Sequence, residues 1–107
     1  MKQIIAIVKP FLAERVVLAI SEIPVIELAV REVKGYGRQK SYLDRYGENE
    51  FSHVFVAKVE VSMMLDDEHV EKAIEAINRV SRTGRLGDGK IMVLPVMQAI
   101  ESDDSNG

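Results

Sequence analysis

The chain has 107 residues, 47% hydrophobic and 29% charged, with no cysteine and a formal net charge of −3. That length suits one domain around a single core, and the apolar fraction excludes a disordered chain. The missing cysteines exclude a disulfide scaffold, a zinc ribbon and a thiol nucleophile, and the near-balanced charge excludes a polybasic nucleic-acid binder.

Ile4 to Val8 is a short run of branched residues that reads as a buried strand. Lys9-Pro10 breaks it, and proline suits the first turn of a helix, where its missing N–H costs nothing. From Phe11 to Ser21, Leu12, Val16, Ala19 and Ile20 recur at helical spacing, and Pro24 is expected to stop that helix. A second strand is expected over Val25 to Val33, followed by a polar, glycine-bearing stretch from Gly35 to Val54 with no clean period. Phe55 to Leu65 reads as a third strand, and Asp66-Asp67-Glu68 opens a helix whose free N–H groups these carboxylates would cap. Val70, Ala73, Ile74 and Ile77 give the clearest amphipathic signal in the chain. A glycine-rich loop, Thr83 to Gly89, leads into a last strand from Ile91 to Ile100. No apolar run approaches the ~18 residues of a membrane span, and the start at Met1-Lys2 is too soon interrupted for a signal peptide, so a cytoplasmic location is expected.

Strand–helix–strand, long loop, strand–helix–strand is the order of a ferredoxin-like βαβ-βαβ sandwich, an α+β fold with one four-stranded antiparallel sheet and two helices on one face. Ile5, Ile7, Val59, Val61, Met63 and Val93 populate both sheet faces, more than two helices can bury. Oligomerisation is the economical answer.

Two loops carry the chemical information. The stretch after Gly35 is too long for a simple connection in so small a domain, and loops of that size commonly serve binding. Thr83-Gly84-Arg85-Leu86-Gly87-Asp88-Gly89-Lys90 offers glycine backbone and an ammonium to an anion. Gly84 to Lys90 matches the spacing of a P-loop, but it follows a helix and opens a strand, and Ile91 stands where a hydroxyl is needed. Taken alone, a tight helix-to-strand turn explains it equally well.

Together the segments Met1–Pro10, Glu32–Lys40 and Arg82–Ile91 resemble the PII signal-transduction proteins, without visible gaps through about residue 100. The resemblance implies a homotrimer with a domain over 1–100, a T-loop at 36–54, a nucleotide loop at 82–90 and a C-terminal acidic tail at 101–107. Clefts between subunits would hold ATP or ADP, and Mg²⁺ with ATP would allow 2-oxoglutarate to bind. The T-loop would dock on a membrane transporter or a metabolic enzyme, so recruitment to a membrane goes with a transporter partner. No nucleic acid, catalysis or resident metal site is implied.

Carried over residue by residue, the resemblance assigns nucleotide contacts to Gly35, Gly37, Arg38 and Met64, and to Gly87, Asp88, Gly89 and Lys90. Gln39 matches the residue that helps hold Mg²⁺, Lys58 the one that pairs with a 2-oxoglutarate carboxylate, and Lys40 falls in the same group. Partner contact falls to Tyr42, Arg45, Tyr46, Glu48, Phe51 and His53 in the T-loop. The departures are equally specific. Phe51 stands where relatives carry the modified tyrosine, and without a phenolic oxygen no nucleotidylation is possible there. Asn49 replaces a serine phosphorylated in some relatives. Ala29 and Ser62 occupy positions that typically contact adenine, and Glu101 and Asp103 replace two phosphate-clamping arginines. ADP, AMP or no nucleotide therefore stand beside ATP as expected states.

Residues 1–100 hold all 14 Lys and Arg and 14 of the 17 Asp and Glu, so the −3 comes from Glu101, Asp103 and Asp104. One rival reading is a metal-responsive trimer of similar fold, of the metal-tolerance type, that has lost ATP sensing and regulates a transporter through another ligand. His53 and His69, the latter beside Asp66, Asp67 and Glu68, would have to be joined by distant residues to hold a metal. A small enzyme is the other rival, but no nucleophile–base arrangement supports it.

Overall fold

The computed structural model describes residues 1–37, 54–82 and 89–100. β1 (Lys2–Val8), β2 (Glu27–Gly37), β3 (Val54–Leu65) and β4 (Lys90–Pro95) form one sheet in the order β2-β3-β1-β4, with every neighbouring pair antiparallel. Two helices, α1 (Ala13–Ala19) and α2 (Val70–Ser81), are each entered through a 3₁₀ turn, Pro10–Leu12 and Asp67–His69. This is the expected ferredoxin-like arrangement.

Strand alternation builds the core. Ile4, Ala6 and Val8 point to the helices, opposite Met63, Val61 and Val59, and all six are buried. From above, α1 contributes Val16 with Ile20 just beyond its end, and α2 contributes Ala73, Ala76 and Ile77. Ala73 and Ile77 carry out the i, i+4 spacing seen in the sequence, while Val70 and Ile74 are half-buried at the margin.

Several boundaries differ from the sequence reading. The first α-helix ends at Ala19, well before Pro24, and the Ser21 hydroxyl donates to the Leu18 carbonyl at 2.8 Å as the chain turns away. β2 begins two residues later than expected and continues through Gly35, Tyr36 and Gly37, which pair with Val56, Phe55 and Val54. The last strand stops at Pro95 instead of Ile100. Nor does Asp66 cap the second helix, since no side-chain cap bond forms there. The Asp67 carboxylate instead faces the amino group of Met1 at 2.8 Å and Lys2 Nζ at 3.8 Å. The Asp67 carboxylate is thereby engaged by ammonium groups outside the helix and not by the helix N–H groups.

The face away from the helices carries Gln3, Ile5 and Ile7 of β1, Met92 and Leu94 of β4, and Met64, Ser62, Glu60 and Lys58 of β3. Of the residues expected to populate both faces, Ile5 and Ile7 lie on this open side. Val59, Val61, Met63 and Val93 lie on the helix side. The helices also leave the β2 edge bare, so Leu28 and Val30, although on the helix side, stay 40% and 51% exposed.

Candidate functional site

The open face is ordered in rows by strand register. Arg31, Glu60, Ile7 and Lys90 form one row from β2 to β4; Ala29, Ser62, Ile5 and Met92 form the next, and Glu27, Met64, Gln3 and Leu94 the third. Lys58 lies one row beyond Glu60, beside Val33. The expected ligand residues Lys58 and Lys90 therefore share one end of the face, and Met64 sits at the other. On β3, Lys58 and Met64 are separated by roughly 20 Å. Between them the Arg31 guanidinium pairs with Glu60, its Nε donating to Oε2 at 3.2 Å. Arg31 is largely exposed, so this ion pair contributes at most about 1 kcal/mol.

Three concavities border the sheet near these residues. Near Lys90 but on the helix side of the sheet, a cavity of ≈ 560 Å³ between β4 and α2 is lined by Ile74, Asn78, Ser81, Arg82, Val93 and Lys90. Two cations, an amide and a hydroxyl around one cavity suit an anionic ligand. Gly89 is indispensable to its shape: φ is +113°, and its backbone presses against the Ile7 carbonyl. A second cavity of ≈ 530 Å³ lies at the Met64 end, where the segment after β4 passes Gln3, Glu27, Ala29 and Ser62. Within it Gln3 Nε2 donates to Ser62 Oγ at 3.0 Å. A third hollow of ≈ 340 Å³ joins Pro10, Glu32, Val33, Lys34 and Lys58 at the end of β2 and β3.

Of the expected contacts, Gly35 and Gly37 fall in β2, while Met64, Lys58, Gly89 and Lys90 fall on or beside these cavities. Arg38, Gln39, Lys40, Tyr42, Arg45, Tyr46, Glu48, Phe51 and His53 lie outside the described residues, as do Gly87, Asp88, Glu101 and Asp103. Among the described residues no group of three or more His, Cys, Asp and Glu could hold a metal ion. His69 Nε2 stands 3.6 Å from Glu68 Oε1, a local pair in which the histidine is half-buried and the glutamate exposed. Sequence reading missed Gln3, although a signal existed: it is the polar member of an otherwise apolar alternation with Ile5 and Ile7.

Among the described residues no helix is long and apolar enough to cross a membrane. The family model described as nitrogen regulatory protein P-II matches residues 1–104. Curated relatives described as nitrogen regulatory protein P-II include those of Azospirillum brasilense, 43% identical, Rhodospirillum rubrum, 44%, and Cereibacter sphaeroides, 46%. Each match spans 100 residues, 94% of this chain and 89% of the relative.

Proposed function

Because the chain belongs to the nitrogen regulatory protein P-II family of signal-transduction regulators, we propose that it senses adenine nucleotides in clefts between the subunits of a homotrimer. Through residues 36–54 it then controls a transporter or enzyme of nitrogen or carbon metabolism. Binding drives regulation by population shift: the ligand favours the state whose segment 36–54 fits the target. Moving such an equilibrium from 1:99 to 99:1 takes about 10⁴-fold tighter binding to one state. Phe51 has no phenolic oxygen, so the protein works without tyrosine uridylylation at that position.

The observation that carries this reading is the placement of Lys58, Met64 and Lys90 on the sheet face that the helices leave open. Ile5, Ile7, Met92 and Leu94 share that face, an apolar surface that a second copy can cover while enclosing the charged ends. Arg82 and Lys90 would meet the phosphates, assisted by the close backbone at Gly89, with Mg²⁺ accompanying ATP. Lys58 offers an ammonium to 2-oxoglutarate or another small dianion.

Calorimetry with ATP, ADP and AMP, each with and without Mg²⁺, 2-oxoglutarate and bicarbonate, tests the sensing step. Heat with at least one nucleotide, weakened about tenfold or more in Lys90→Ala, is expected. No heat in any combination overturns it. Native mass spectrometry tests the trimer in the same samples.

A further inference from the structure

We propose that Arg31 sets how much negative charge a ligand at the Lys58–Lys90 end of the open face can carry, by cancelling the carboxylate of Glu60. This rests on the nucleotide-sensing reading above and adds to it a residue that determines charge selectivity.

Among the described residues of the four strands, the open face carries the cations Arg31, Lys58 and Lys90 and the carboxylates Glu27 and Glu60. Glu27 lies at the Met64 end. Glu60 lies among the cations: it is opposite Arg31 on one side and Ile7 on the other, and two residues from Lys58 along β3. Strand spacing puts its backbone roughly 7 Å from that of Lys58 and roughly 10 Å from that of Lys90. Its side chain is only 15% exposed, so solvent and salt screen this charge less than they screen a surface carboxylate. An anion drawn to either lysine meets a fixed negative charge nearby.

Arg31 removes that penalty. Its Nε and Nη2 both donate to Glu60 Oε2, so the guanidinium lies against the carboxylate and the pair is neutral at the distance of a ligand. The pair adds little to stability because Arg31 is largely exposed; its weight falls on the field that a ligand feels. Without Arg31, the Glu60 charge acts across about 8 Å. Coulomb's law in water converts this to a roughly sixfold loss of affinity for two ligand charges and about a two- to threefold loss for one. Removing Glu60 acts in the opposite sense, since Arg31 is then an uncancelled cation. An arginine that itself grips the ligand behaves differently: its loss costs affinity whether or not Glu60 keeps its charge.

Calorimetry of the full chain with ATP and AMP, in the wild type, Arg31→Gln, Glu60→Gln and the double variant, separates these cases. ATP brings three phosphates to this end and AMP one. Arg31→Gln should weaken ATP about fivefold or more, and AMP by less than half that factor. Glu60→Gln should tighten ATP by about fivefold. The double variant removes one charge of each sign and should bind both nucleotides within about threefold of the wild type. Circular dichroism checks that each variant folds, and Glu60→Gln with the double variant decides the matter where Arg31→Gln does not fold. A double variant that binds ATP more than about threefold weaker than the wild type would make Arg31 a direct ligand contact and overturn the assignment. Equal losses for AMP and ATP in Arg31→Gln, or an ATP affinity unmoved in either single variant, overturn it too. Nucleotide sensing stands in each of these cases. Absence of binding by both nucleotides in the wild type overturns the assignment and the sensing reading together.

Discussion

A Cβ placed on Gly89 would collide with the carbonyl oxygen of Ile7. No side chain fits that gap, and the φ of +113° is itself strained for any residue with a Cβ. The chain thus enters β4 by laying bare backbone against β1, which brings Lys90 into register with Ile7 and beside the cavity that Arg82 also lines.

Gly89→Ala is therefore expected to destabilise the fold by about 3 kcal/mol, since backbone must move on one side or the other. Urea unfolding at fixed protein concentration measures it. A change below about 0.5 kcal/mol, the range of ordinary surface substitutions, would show that the contact is easily relieved.

Ile77 supplies a complementary test of the helix–sheet core. It is fully buried on α2 among residues of both layers. Ile77→Ala should cost about 2–5 kcal/mol, whereas Ile77→Val should cost about 0.5–1.5, the gap reflecting methylene burial and the cavity left behind. Equal losses in the two variants would mean that the site collapses around either side chain.

Asp67 sets one acid-side contribution to stability. The hydrogen bond from the Met1 amino group, reinforced by Lys2, holds its carboxyl below the usual carboxylate range. A depressed folded-state pKa stabilises the native state above the unfolded-state pKa, and that contribution is lost as pH falls through the folded value. The carboxylate is exposed, so salt should shrink the effect. Carbon-detected NMR titration should place the Asp67 midpoint below that of a model-peptide aspartate, and Asp67→Asn should reduce the acid-side loss of stability. A midpoint at or above the ordinary value would contradict the ion pair.

The same residues explain what could be read from the chain alone. Ile4, Ala6 and Val8 alternate, and Val70, Ala73 and Ile77 repeat at helical spacing, because burial on one face imposes a period. The second strand was legible only to Val33: Gly35, Tyr36 and Gly37 have no periodic signal of their own, and their strand comes from pairing with Val56, Phe55 and Val54. In the sequence Asp67 reads as part of a helix cap, because its partner, Met1, is distant along the chain. For the site, Gly89 and Lys90 were legible as a motif, whereas Gln3 acquires meaning only when register sets it near Ser62.

The tail offers the sharpest electrostatic test of the proposed sensing. Residues 1–100 balance 14 cations with 14 anions, so Glu101, Asp103 and Asp104 carry the whole net charge. The family resemblance puts phosphate-clamping arginines at the first two of these positions. A carboxylate within a few ångströms of a triphosphate repels it, and a guanidinium attracts it by a similar amount even in high dielectric. Glu101→Arg combined with Asp103→Arg should therefore tighten ATP by about tenfold or more, each tenfold corresponding to about 1.4 kcal/mol. AMP, with a single phosphate, should gain less, and the ATP gain should fade as salt is raised because exposed charges are screened within roughly 10 Å at 0.1 M. Calorimetry of both nucleotides at two ionic strengths reads all three effects. Equal gains for AMP and ATP, or no gain for either, would show that these carboxylates do not face the phosphates.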